Sequence, residues 1–223
     1  MTTPLKAVIF DLDGLAVDSE PYHVRAWYQA VEELGGNLEE ALLAYGFGRS
    51  VRETAEMIAH EYGLDAGELV KLRDRIFDTL TEEGIPPRSG LVEAVKALHE
   101  MGMAVALASS GTGPYVHKIA KHLLDDYGVT FDHIVTRDDV ERGKPNPEPF
   151  LAAAKGVGVE AVHCVVLEDA PTGALAACRA GMNCIVVPNE YTETLEFPSE
   201  CIKVSTLLDA VNAIAELNDP LSR

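Results

Sequence analysis

The chain is poor in basic residues, in cysteine and in long apolar runs. Lysine and arginine number 18 against 36 aspartates and glutamates, a formal net charge of −18. Nucleic acid and anionic membranes are recognised through a basic footprint, so neither is an expected partner. A small phosphorylated substrate is not excluded, because a few cations can reverse the potential inside one cleft. The apolar runs near 104–108 and 164–167 fall far short of the ~20 residues that a membrane-spanning helix needs. The N-terminal MTTPLKAVIFDLDG carries no basic segment followed by a long apolar stretch, so no secretory signal is expected. Four cysteines occur (Cys164, Cys178, Cys184, Cys201), with neither a CxxC pair nor finger-like spacing. Cys164 and Cys184 stand in apolar strings, HCVVL and NCIVV, where buried reduced thiols belong. These features point to a cytoplasmic protein and indicate no protein partner.

What is present suits a globular fold. The 223 residues are 47% hydrophobic and 24% charged, enough for one large domain or a core with a smaller insert. Lys6–Phe10 (KAVIF) reads as a buried strand running into Asp11-Leu12-Asp13-Gly14. From Asp18 to about Glu83, AWYQAVEEL, ETAEMIAHEYG and ELVKLRDRIFDTL repeat apolar residues at helical spacing. GIPPRSG (84–90) then punctuates the chain, and strand-like runs (MAVALAS, FDHIVT, VHCVVLED, NCIVVP) alternate with helical ones. Such alternation predicts right-handed crossover units, hence an α/β fold: a Rossmann-like parallel sheet with helices on both faces. The early helical block becomes an inserted α-helical cap. The expected domains are a core of 1–15 and 88–223 and a cap of 16–87.

Ligands of an open parallel sheet bind beyond the carboxyl ends of its strands. The expected strand ends carry Asp11 and Asp13, then Ser109-Ser110-Gly111, then Lys144 in GKP, then Glu168-Asp169. Each has an ordinary explanation: a tight turn, a small-residue loop, a solvated lysine, acids at a helix start. A calcium loop is disfavoured, since a strand precedes it, Leu15 takes the fifth position and glycine comes at the fourth. In combination they suit phosphoryl transfer. A carboxylate can attack phosphorus and split one hard displacement into two. Asp11, Glu168 and Asp169 can offer oxygen ligands to Mg²⁺. Lys144 can neutralise charge, Ser109 and the following backbone N–H groups can hold phosphate oxygens, and a second carboxyl can protonate the leaving oxygen.

FDLDG, ALASS, GKPNPEPF and VVLEDAPTGALAACRAG, in this order between Lys6 and about Val187, resemble the haloacid dehalogenase superfamily. The similarity is to its phosphatase and β-phosphoglucomutase-like branch with a helical cap. It implies Asp11 as nucleophile and Asp13 as general acid/base whose backbone carbonyl also binds Mg²⁺. It further implies Ser109, with Ser110 and Gly111, at the phosphate, Lys144 on the phosphoryl group, and Asp169 with Glu168 on the metal. Gly14 would let the chain turn away beneath the phosphate. Dehalogenases and phosphonate hydrolases of the superfamily lack the acid that stands here at Asp13, which leaves phosphate esters.

AVDSEPYHVRAW (16–27) is similar to the cap entry of sugar-phosphate phosphatases and of β-phosphoglucomutases. His23 there is a substrate-site candidate or a packing residue. Arg49 and Arg52, in GFGRSVRET (46–54), could reach a substrate anion or sugar hydroxyls, or pair with Glu53 and Glu56 at the surface. Mutases of the branch carry a lysine before the glycine of this turn, whereas Phe47 precedes Gly48 here. The expectation is a Mg²⁺-dependent phosphoric monoester hydrolase acting on a sugar or polyol phosphate through a phosphoryl-aspartate. A β-phosphoglucomutase-like isomerase is the alternative, and a non-catalytic binding protein of the same fold is the third. No chemistry is expected of the stretch from Asn189 to Arg223.

Overall fold

In a computed structural model, described for residues 4–47 and 49–219, AVIF forms strand β1 (Ala7–Phe10). Four helices follow it: α1 (Glu20–Glu33), α2 (Glu40–Ala44), α3 (Val51–Tyr62) and α4 (Ala66–Leu80). The alternating part begins with α5 (Leu91–Glu100), β2 (Ala104–Ala108), α6 (Gly113–Tyr127) and β3 (His133–Val135). It continues through α7 (Glu148–Gly156), β4 (Cys164–Glu168) and α8 (Pro171–Arg179). β5 (Asn183–Val186), β6 (Ile202–Lys203) and α9 (Leu207–Asn218) complete it. All six strands are parallel, in the order β3-β2-β1-β4-β5-β6.

Two compact units result, Met1–Asp18 with Pro86–Arg223, and Ser19–Ile85. The division falls at 18/19 and 85/86 where the sequence suggested 15/16 and 87/88. Local hydrogen bonding accounts for the difference. Val17 bridges to Pro87, Asp18 N donates to Pro86 O, and Arg88 N donates to Ala16 O.

In the sheet unit, apolar alternation along each strand loads both faces. Ala7, Ile9, Ala106, Ala108, Cys164 and Val166 face Phe150 and Ala153 of α7 and Ala174 and Ala177 of α8. Val8, Phe10, Val105, Leu107, Val165 and Leu167 alternate with them and are equally buried, while α5 packs on β2 and α9. The continuous apolar runs are therefore what a sheet covered on both sides requires. Burying each large side chain, such as Phe10 or Phe150, contributes about 1.5–3 kcal/mol. Cys164 and Cys184 are buried and all four thiols are free.

In the helical unit, α1 and α3 pack on α4 around Trp27, Ala30, Ile58 and Leu69. Ser50 and Glu53 form a reciprocal capping box that starts α3, and the Asp65 carboxylate accepts from Glu68 N at 2.8 Å to start α4. Arg73 is buried in this unit. Its guanidinium lies over Trp27 and Phe77 and is hydrogen-bonded to His23, whose ring stacks on Phe77 at 4.2 Å.

Two elements escaped the sequence reading. β6 is two exposed residues, too short to alternate, and α2 is one turn of EALLA. No helix among the described residues is long and apolar enough to cross a membrane.

Candidate active site

Register places the acids. β1 pairs with β2 at Phe10–Leu107 and with β4 at Phe10–Leu167, so Asp11 stands level with Ala108 and Glu168. Asp11 N still donates to Leu167 O at 3.0 Å, and Ser109 N donates to Val135 O at 2.9 Å. The chain order reverses at β1, whose neighbours β2 and β4 lead away in opposite directions. That reversal opens a crevice beyond the carboxyl ends.

Lys144, from the loop before α7, bridges two of the acids. Its Nζ is hydrogen-bonded to Asp11 and donates to Glu168 Oε1 at 2.7 Å, and it lies 4.6 Å from the centre of the Phe150 ring. The three side chains are only 6%, 11% and 2% exposed, so water screens them little. Burial pushes the Asp11 carboxyl up to about 7, against the pull of Lys144 and with Glu168 and Asp13 adding to the rise. Burial disfavours the Lys144 ammonium too, but Asp11 and Glu168 outweigh it and hold the group above its ordinary range.

Glu168 is held from its other side as well. Its Oε2 accepts from Asp169 N at 3.0 Å and from Ala170 N at 3.1 Å, at the start of α8. The carboxylate lies so close to the first turn that a Cβ on Gly173 would stand 1.6 Å from Oε1, so only glycine fits there.

Asp11, Glu168 and Asp169 each place a carboxylate oxygen within 4.8 Å of the others, all three buried. Hard oxygen donors suit a small divalent cation. Three carboxylates against one lysine also leave negative charge that such a cation would balance. The donor set fits a metal. The Asp13 side chain is not in this group; it accepts a hydrogen bond from the Tyr115 hydroxyl.

The stretch from Asn189 to Arg223, from which no chemistry was expected, reaches the site at its first residue. Asn189 Nδ2 donates to Asp169 Oδ2 at 2.8 Å and to Gly14 O at 3.2 Å. Arg88, which looked like loop punctuation, donates to Gly14 O at 2.7 Å and to Val187 O at 3.0 Å. Burial holds its guanidinium below the ordinary range, opposed by Asp169 and Asp18. Both residues pin the loop after β1. Gly14 has φ +75°, and a Cβ there would sit 2.4 Å from Asp169 Oδ2. Asn189 orients the Asp169 carboxylate, and where such a carboxylate holds a metal, outer partners of this kind typically tune its affinity 10–100-fold. Asn189→Ala is therefore expected to weaken Mg²⁺ binding about tenfold, read as the Mg²⁺ concentration that half-saturates the rise in Tm. An unchanged half-saturation would contradict this.

The remaining expected site residues divide between the units. Ser109 is buried and its Oγ accepts from Gly111 N at 2.9 Å, while Ser110 is exposed on the rim. His23, Arg49 and Arg52 belong to the helical unit. There Arg49 Nε donates to Tyr45 O at 2.8 Å, and Arg52 pairs with Glu56 at 2.8 Å on an exposed helix face. Gly48 of the same turn lies outside the described residues.

Known proteins share this arrangement of chain and fold. A family model described as "haloacid dehalogenase-like hydrolase" matches residues 5–181. YhcW of Bacillus subtilis is 37% identical over 198 residues, spanning 86% of this chain and 88% of that one. Hexitol phosphatase A of Escherichia coli is 33% identical over 187 residues, 82% of each chain. The crystal structure of CbbY from Rhodobacter sphaeroides in complex with phosphate superposes with a TM-score of 0.75 at 25% identity, covering 91% of this chain and 95% of that one.

Proposed function

The chain belongs to the haloacid dehalogenase-like hydrolases and is a phosphoric monoester hydrolase, and on that footing we propose that it cleaves a sugar or polyol phosphate through a phosphoryl-aspartate. The observation that carries this reading is the buried cluster in which Lys144 joins Asp11 to Glu168 beside Asp169. A buried carboxylate held by a buried ammonium is a positioned nucleophile with its charge partly balanced. The hexitol phosphatase relative supports the substrate class.

Asp11 attacks phosphorus in line. Asp13 gives its proton to the leaving oxygen, then takes one from the water that hydrolyses the aspartyl phosphate. Lys144 offsets charge on the phosphoryl oxygens, and Ser109 with the N–H groups that follow it binds them. Asp11, Glu168 and Asp169, with the Asp13 backbone carbonyl, would hold Mg²⁺, whose charge would neutralise phosphate and carboxylates together. The helical unit, with His23, Arg49 and Arg52 as its contact candidates, would serve as the cap that selects the substrate and excludes water.

Phosphate release is to be measured with Mg²⁺ over a panel of sugar, polyol and short-acid phosphates. The panel includes β-glucose 1-phosphate with a bisphosphate primer. Release from one or a few polyol or sugar esters is the expected outcome. Conversion of β-glucose 1-phosphate to the 6-phosphate without release would replace hydrolysis by isomerisation. Failure on every ester would leave a binding protein of this fold.

A further inference from the structure

Three of the four cysteines converge although the sequence scatters them. Cys178 stands in the last turn of α8, Cys184 in β5, and Cys201 in the turn just before β6. β5 and β6 pair at Ile185–Ile202 and Val186–Lys203, so Cys201 arrives one place ahead of that ladder, level with Cys184. From α8, Cys178 Sγ reaches to 3.8 Å from Cys201 Sγ. Cys178 and Cys201 are half-buried, within reach of a small solute, whereas Cys184 is only 4% exposed.

The three thiols differ in freedom to move. A disulfide brings its sulfurs to about 2.05 Å, so Cys178 and Cys201 must close by about 1.8 Å. α8 is anchored by the buried Ala174, Ala176 and Ala177. Cys201, by contrast, follows the exposed Ser199 and Glu200 and leads into a strand of two exposed residues. The turn that carries it can therefore make the approach. Cys184 is held in mid-sheet by the pairing of β5 with β4, where it lies opposite Val166, and its side chain belongs to the core.

We propose that Cys201 and Cys178 form a reversible disulfide within the chain, Cys201 reacting first with a peroxide and Cys178 closing the bond. The Cys201 sulfur attacks one peroxide oxygen, the O–O bond breaks, and with hydrogen peroxide one water leaves behind a sulfenic acid. The Cys178 sulfur then bonds to the Cys201 sulfur, the S–O bond breaks, and the thiol proton leaves with the hydroxyl as a second water. Two thiols are oxidised and one peroxide is reduced. The neighbouring thiols favour this order. The Cys184 thiol, ahead of that of Cys178, pulls Cys201 down to about 7, against burial and the charges of Glu200 and Glu168. Burial pushes Cys178 up to about 11. The thiolate is the form that reacts.

The test treats the full chain with hydrogen peroxide, blocks the remaining thiols by alkylation, and maps peptides cut after Lys, Arg and Glu. These cuts place each cysteine on its own peptide, Cys178 in 169–179, Cys184 in 180–190 and Cys201 in 201–203. The expected product joins 169–179 to 201–203, with two of the four thiols lost and both restored by dithiothreitol. In Cys178→Ser the sulfenic acid should persist on Cys201 and take up dimedone. In Cys201→Ser dimedone labelling should fall at least about tenfold. A link from Cys184 to Cys201, a link between two chains, or thiols that dithiothreitol does not restore would overturn the assignment. Equal dimedone labelling of the two variants would overturn the role of Cys201 as the first to react.

Discussion

Asp11→Asn is expected to lower phosphate release at least about 10³-fold, because in the proposed mechanism the group that forms the covalent bond is gone. The same substitution is expected to raise the Tm of the metal-free protein. Burial pushes the Asp11 carboxyl up to about 7 even with Lys144 beside it, so its ionised form is a net cost to the fold above that pH. The amide has the same shape and no charge. Lys144 keeps Glu168 as its counter-ion. The sign follows from linkage. In the unfolded chain an aspartate loses its proton near the ordinary value of 3.8, so between there and about 7 the native state binds the extra proton. Wild-type stability from this group is thus lost as pH rises through that window. The Tm difference between variant and wild type, measured with a chelator present, should be near zero at the acid end and grow to several degrees by neutrality. A constant difference, or a variant less stable at neutral pH, would contradict the charge argument. An active variant would remove the nucleophile.

Lys144→Met is expected to cost about 3–5 kcal/mol of folding stability at neutral pH with a chelator present. Among the described residues the lysine is the one cation bonded to Asp11 and Glu168, and neither carboxylate is exposed enough for water to replace it. Methionine fills similar volume and can rest on Phe150, so the loss reports charge rather than a cavity. The cost should shrink as pH falls and Asp11 takes up its proton. Combining the change with Asp11→Asn should cost less than the sum of the two, since the pair is coupled. Turnover should fall about 10²–10³-fold, the usual loss on removing one stabiliser of developing charge. Denaturant unfolding and phosphate release measure both. A loss under about 1 kcal/mol with turnover intact would mean that the ion pairs carry neither stability nor chemistry.

Much of the sheet unit was legible because its signals are local. A run such as AVIF or CVVLE is apolar at every position, which a strand covered on both faces needs and a surface strand does not. Gly and Pro punctuation then set the order of crossovers. Once the strands are parallel, residues at their carboxyl ends arrive at one rim, so Asp11, Ser109, Glu168 and Asp169 group from the sequence alone. Lys144 needed the motif as a whole, since a lysine in a proline-rich loop has no local mark of burial.

Asn189, Arg88 and Tyr115 carried no such mark. Each reaches the site from a different segment, at separations of 175, 74 and 102 residues from its partner. No periodicity or spacing relates residues so far apart. β6 lay below the length at which alternation can be read, and its two residues are exposed.

By itself the amino-acid sequence determined the parallel sheet, the helical insert and which acids stand at the strand ends, because burial and the period of a strand act over a few residues. Only the tertiary structure decided the partners of those acids: Lys144 between two carboxylates, Asn189 on Asp169, Tyr115 on Asp13. A hydrogen bond depends on where two side chains end in space, and that is settled by the packing of whole helices onto the sheet.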